Sequence, residues 1–389
     1  MKKLNNYTFF CLIYLTIVAC KQNNSLYELI GTYKNADLSN IETIYPILFE
    51  QSIIFTDNIN DTSFYLKAID SKSLKNIWVL KVNLHTPKYL YYNLQPYKFK
   101  NILVIPCSNE IFAVDLRTGA IIWRTIDDYS GEDFLEGINQ FFFRTYYDYK
   151  TKKYLIKKIN INSGHAEIIL EQTHKADVKI HCRTPIPVVN NGDTLLFYTC
   201  IQQKIESKRT IPFFNIYSQN KKMIIYSDSL KTNFLGQGIT KQPMIYENSI
   251  ILINDNQIVE FDIKSSSIKS NISLPRDMLT SKPLIQDGML YYPCEDGFLY
   301  AIKLNDNNIK WKTKISGTPG HIKISEDKIF VVGGGDGLLH CIDIKNGQLK
   351  FSIPEKKSAS LFERPLLLIN KNKILLSDKN KFYFYQINE

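Results

Sequence analysis

A phrase such as "EIFAVDLRTGAIIWRT", Glu110 to Thr125, returns along the whole chain, and all three tryptophans sit at one place in it. The residue ending its first run is Asp70, Asp115, Asn160, Asn215, Asp262, Lys303, Asp343 and Gln386 in turn. From 70 to 386 is 316 residues over seven intervals. Each interval is therefore about 45 residues, the length of one four-stranded propeller blade. Trp78, Trp123 and Trp311 each stand eight residues after that position, and the same offset gives Ile168, Met223, Ser270 and Phe351 elsewhere. Units four and five fit this register least well.

Within the phrase, "LRTG" is a turn whose glycine tolerates positive φ, and the two runs around it read as a β-hairpin. Before "FLYAIK" stands "SKPLIQDGMLYYPCEDG", with Asp287-Gly288 and Asp296-Gly297 as further turns. Each unit thus holds four strands, A to D from first to last. An isolated hairpin cannot bury its faces, so the repeat predicts an all-β chain of eight four-stranded antiparallel blades arranged as a β-propeller. The eighth unit ends at Glu389 after three strands, while a spare strand-like segment, "LYELIGTYK" (26–34), precedes the first unit. The expectation is that 26–34 supplies the missing outer strand of blade eight and covers an open edge.

"IFAVDLRTGAIIW", "LYAIKLNDNNIKW" and "LLHCIDIKNGQLKF" resemble the repeat of the quinoprotein (PQQ-like) β-propellers, over most of residues 40–389. The resemblance implies that the aromatic residue near the start of strand D packs between blades. Here that role falls to Trp78, Trp123 and Trp311, with Phe351 as a substitute. It is specific for fold and not for activity.

The N-terminus sets the compartment. Lys2 and Lys3 precede an apolar run, Tyr7 to Ala19, too short to span a bilayer as a helix. "LTIVAC" resembles a bacterial lipobox, so residues 1–19 read as a signal peptide, Cys20 as the lipidated residue, and 20–25 as a tether. The alternative is an ordinary secretory signal with an incidental cysteine. Lys21 rather than Asp after Cys20 points to the outer membrane, with the periplasmic or surface face left open.

Apolar residues at 44% and charged residues at 22% suit one folded ring, residues 26–389, rather than a disordered chain. Loss of Lys2 and Lys3 takes the net charge from +10 to +8. The lysines are scattered over turns, which reads as a solvated surface, and no nucleic-acid partner is expected. Beyond Cys11 and Cys20, five cysteines remain, so not all can pair. Cys107, Cys200 and Cys294 align at the end of strand B and read as small buried residues. Cys182 and Cys200 share a unit and could pair, the less favoured alternative.

A quinone-dependent dehydrogenase would need a carboxylate base, an oxygen-rich calcium site and aromatic plates. No compact acidic cluster of that kind is present. "IDDYSGEDFLEG" (126–137) is the densest acidic stretch and reads as a solvated loop. The six histidines are scattered, and "VVGGGDG" is a strand-to-strand turn rather than a phosphate cradle. No catalytic residue, metal or cofactor is assigned.

The chain resembles in signal type, length, blade number and repeat the BamB-type outer-membrane lipoproteins, which assist insertion of β-barrel proteins. This implies a non-catalytic, protein-binding scaffold, a monomeric propeller within a complex, whose partners are outer-membrane β-barrel assembly proteins. Two excursions are candidate docking loops: 126–140, with Asp127, Asp128, Glu132 and Asp133, and 201–210, with Gln203, Lys204, Lys208 and Arg209. The competing reading is a quinoprotein-like oxidoreductase or a small-ligand-binding envelope lipoprotein.

Overall fold

The computed structural model describes residues 26–34, 46–60, 63–84, 96–107, 110–126, 136–148, 151–173, 178–204, 210–229, 242–254, 257–273, 283–304, 306, 308–317, 320, 322–354, 363–377 and 381–388. The signal peptide, Cys20 and the tether lie outside them.

Eight antiparallel sheets follow one another along the chain. Blade 1 runs Ile47–Phe49, Ser52–Asn60, Ser63–Asp70 and Asn76–Asn83 as strands A to D. Blades 2 to 7 repeat this over 97–126, 136–173, 178–229, 244–273, 284–314 and 323–353. Blade 8 takes A, B and C from Glu363–Asn370, Lys373–Ser377 and Lys381–Ile387, and D from Tyr27–Lys34, which pairs antiparallel with the last strand. The two ends of the chain therefore close the ring, and Asn388 N donates to Leu26 O at 3.0 Å beside the junction.

The burial pattern follows from this stacking. Strand C of blade 2 (Glu110–Asp115) is buried through its first five residues, because each face meets a neighbouring blade. Strand D (Ile121–Ile126) lies on the rim and is half open. The core is accordingly divided into eight clusters, one at each junction. Ile54, Phe64 and Leu66 of blade 1 meet Leu103, Phe112 and Val114 of blade 2. The last junction brings Leu375 and Phe384 of blade 8 onto Ile53 and Phe55 of blade 1. Large-to-small changes at such fully buried sites cost about 3–5 kcal/mol for a phenylalanine.

Every blade carries a β-bulge between C and D. The bulge adds twist to the outer strand and fixes which residue turns toward the next blade. In blades 1, 2 and 6 that residue is Trp78, Trp123 or Trp311, opposite Ala68, Ala113 and Ala301. Two sequence assignments are corrected. In unit four the strand-ending position is Ser218, not Asn215, because Ile216 pairs with Tyr226 and Ser218 with Met223. The residue facing blade 5 is thus Tyr226, while Met223 is exposed. In unit three the bulge lies two residues further from the C-to-D turn, between Ile156 and Lys157, so Leu170 turns inward and Ile168 is exposed.

Candidate functional surfaces

The repeat's aspartate ties its own hairpin. Asp115 Oδ1 accepts from the backbone N–H of Arg117 at 2.9 Å and of Thr118 at 2.9 Å, and from Thr118 Oγ1 at 3.1 Å. Gly119 N closes the turn on Asp115 O. The same cap recurs at Asp70, Asn160, Asp262 and Asp343.

The preceding blade reads the finished turn. Trp78 Nε1 donates to Leu116 O at 3.0 Å, Trp123 Nε1 to Ile161 O at 2.6 Å, and Trp311 Nε1 to Ile344 O at 3.2 Å. Each indole lies on the turn glycine of the next blade. A Cβ on Gly119, Gly164 or Gly347 would stand 2.6 Å from the ring of Trp78, Trp123 or Trp311. Those glycines have φ of 73°, 70° and 75°. Other junctions fill the same gap differently. Between blades 8 and 1 the sizes are exchanged, since Gly31 holds the tryptophan position and meets Leu74 of the turn. Phe351 faces the seam where the chain ends meet and no turn exists, and its ring packs 5.5 Å from that of Tyr27. Tyr226 packs its ring 5.1 Å from Phe261.

These caps carry a pH dependence. Hydrogen bonds from the Ser73 amide and hydroxyl hold the Asp70 carboxyl below its usual range, and Ser265 does the same for Asp262. Burial pushes Asp115 up, but the bonds from Thr118, Arg117 and Asn101 outweigh it and leave it lowered. Lys350 and Lys328 hold Asp327 at about 2. A carboxyl lowered in the folded state stabilises above its unfolded pKa and loses that contribution as pH falls through the folded value. The melting temperature is therefore expected to fall progressively from about pH 4 to pH 2. A flat profile in calorimetry over that range would contradict the capping account.

The blade-4 excursion and the strand ends Ile126 and Glu136, which flank the other, lie on the same face. This face carries the B-to-C turns and the D-to-A connections, and the other carries the A-to-B and C-to-D turns. The connection between Ile126 and Glu136 belongs to the first face. Asp127, Asp128, Glu132 and Asp133 lie outside the described residues, and the excursion ends earlier than expected because Glu136–Ile138 is already strand A of blade 3.

The second excursion is not a loop. Strand B of blade 4 (Asp193–Lys204) and strand C (Thr210–Ser218) extend it as a ribbon, with Gln203 opposite Thr210. A further strand, Val178–Cys182, pairs with its other edge from Val178–Lys204 to Cys182–Cys200. Strand A is split here, and Ile186–Asn190 pairs with the inner half of strand B. Gln203 and Lys204 are ribbon residues, while Lys208 and Arg209 lie outside the described residues.

Cys182 and Cys200 form a disulfide across this ribbon, with Cα atoms 3.9 Å apart. This overturns the preferred reading of Cys200 as an unpaired buried thiol. The sequence hides the pair because Cys182 belongs to a strand that, among the described residues, no other blade has. Cys294 and Cys341 are buried and outside any disulfide, and burial pushes the Cys341 thiol up to about 12. The bridge closes a short loop, so its loss through Cys200→Ser should cost about 3 kcal/mol. A reductant-insensitive melting temperature would argue against it.

The inner strands leave a cavity of about 380 Å³ between blades 3 and 7. Ile186, Met244, Ile245, Leu284 and Ile285 line it, with Glu136 and Lys323 as its charged groups. A quinone with calcium needs several oxygen ligands and flat aromatic walls. One carboxylate among aliphatic and proline side chains does not match that set. Among the described residues no three His, Cys, Asp or Glu side chains gather as metal ligands.

No protein-family model and no curated protein matches the chain. Solved structures do. BamB from Moraxella catarrhalis superposes with a TM-score of 0.61 at 12% identity, covering 93% of this chain and all of that one. Sqt1 from Saccharomyces cerevisiae gives 0.61 at 9% identity, over 93% of this chain and 99% of that chain. The quinohemoprotein alcohol dehydrogenase ADHIIG from Pseudomonas putida HK5 gives 0.60 at 8% identity, over 94% and 77%. At such identities the likeness establishes the propeller fold and no activity.

Proposed function

We propose that this chain is a non-catalytic scaffold lipoprotein, held at the outer membrane through lipidated Cys20, that docks proteins of β-barrel assembly. One observation carries the reading. The blade-4 ribbon rises from one face of the ring, and the closing strand enters at Tyr27 on the other. A rigid disc with a tether below and a stapled ribbon above suits presentation of a partner. The repeat's distinctive residues are engaged in holding blades together rather than in lining a reaction site. The fold shared with the whole of the BamB chain supports the same reading.

The test is affinity purification of the tagged protein from detergent-solubilised membranes. A large outer-membrane barrel with accessory lipoproteins is the expected partner set. Purification as a lone monomer overturns the scaffold reading. The second reading, a quinoprotein-like oxidoreductase or small-ligand carrier, draws on the inner cavity and on the fold shared with ADHIIG. Turnover that depends on added quinone and calcium would favour it.

A further inference from the structure

We infer that the face carrying the A-to-B and C-to-D turns is a membrane-facing surface, which lays the ring flat on a lipid bilayer. The inference rests on the lipoprotein reading of Cys20. The closing strand enters the ring at Tyr27, opposite Ile387 at the end of strand C. Ile387 N bonds Asn372 O in the A-to-B turn of blade 8, so the chain enters on that face. Six residue steps separate 20 from 26, a reach of at most about 20 Å. A lipid at Cys20 therefore keeps this face within that distance of the bilayer, and the ribbon points away.

The rim of this face is shaped for such a neighbour. Each strand D begins here, and at its bulge or one residue before it most blades expose a large aliphatic side chain. Ile30, Ile77, Ile122, Ile225, Ile309 and Leu349 are 41–50% exposed, although they alternate with residues that pack inward. Blades splay outward, so packing alone leaves these positions open to any residue type, yet aliphatic residues recur around the circumference. Lys72, Lys75, Lys222, Lys264 and Lys345 stand exposed on the C-to-D turns, just outside the A-to-B turns, four of which expose Glu50, Glu247, Asp287 and Glu326. Aliphatic groups at headgroup depth flanked by lysines match an anionic bilayer surface. They add a second attachment to the lipid and fix the orientation that one tether leaves loose.

The test uses the full lipidated chain in phosphatidylethanolamine–phosphatidylglycerol vesicles carrying a headgroup quencher. A fluorophore is placed through Asn248→Cys on the A-to-B turn of blade 5, or Glu295→Cys on the B-to-C turn of blade 6, with the unsubstituted chain as background. Quenching at least threefold stronger at 248 than at 295 is expected. Replacing Ile77, Ile122 and Ile309 together by serine should reduce it at least twofold with the melting temperature nearly unchanged. Palmitate labelling of Cys20, read in parallel, separates the two claims. Equal quenching at both sites on a lipidated chain overturns the orientation and leaves the lipoprotein reading standing. An unlipidated Cys20 removes both. If the serine variant keeps its quenching but loses a co-purifying protein, the aliphatic rim is a protein contact, and the inference is overturned.

Discussion

Gly119→Val is expected to destabilise the ring by about 3 kcal/mol. Its φ of 73° costs a β-branched residue about 1–2 kcal/mol. The new Cβ would also meet the Trp78 ring at 2.6 Å, and overpacking of this kind adds about 1–3 kcal/mol. The Trp78 part is recoverable and the backbone part is not. The double variant with Trp78→Ala should therefore cost less than the sum of the two single variants, with a coupling of about 1–2 kcal/mol. Urea denaturation of the four proteins measures this directly. Strict additivity would mean that the indole and the glycine do not share one gap, and the account of how blades lock would fail.

Removal of residues 26–34 is the second large effect. The deletion strips the outer strand from blade 8 and with it Tyr27 and Leu29, which pack on one side, and Tyr33, which packs on the other. Burial of three such side chains contributes about 5 kcal/mol, comparable with the whole stability of many domains. It also exposes the edge of Lys381–Ile387, a row of unpaired backbone groups that templates association. The expected outcome is a broadened, lower melt together with concentration-dependent oligomers in size-exclusion chromatography. A sharp, monomeric melt near the intact protein's would show that the ring does not depend on closure.

Much of this was legible in the sequence because a propeller repeats its physics. The Asp–x–x–x–Gly turn and the aromatic eight residues after the Asp are local signals, and they recur wherever a blade needs the same cap and the same filler. The pairing of each tryptophan with a glycine one blade later was not read, although both are printed in the repeat. Trp78, Trp123 and Trp311 appear only where Gly119, Gly164 and Gly347 follow, and Phe351 appears where no turn follows. Unit four misled the register because its turn has no glycine and its C strand ends on Ser218, whose hydroxyl accepts from Lys221 N in place of a carboxylate. The shift of three residues hid Tyr226. The blade-4 ribbon was read as irregular because "IQQKIESKRT" is polar, and polarity says little about a strand that leaves the core and is held by a disulfide and its own pairing. Nothing in the repeat signals the proposed docking ribbon, since it sits where the repeat is broken.

The most direct test of the scaffold account is photo-crosslinking in living cells, with a photoreactive amino acid at Gln203 on the ribbon and, as control, at Asn248 on the opposite face. The account predicts adducts with an outer-membrane assembly protein from position 203, and none with that protein from position 248. Equal adducts from both positions, or none from either while the protein is folded and membrane-bound, would contradict it.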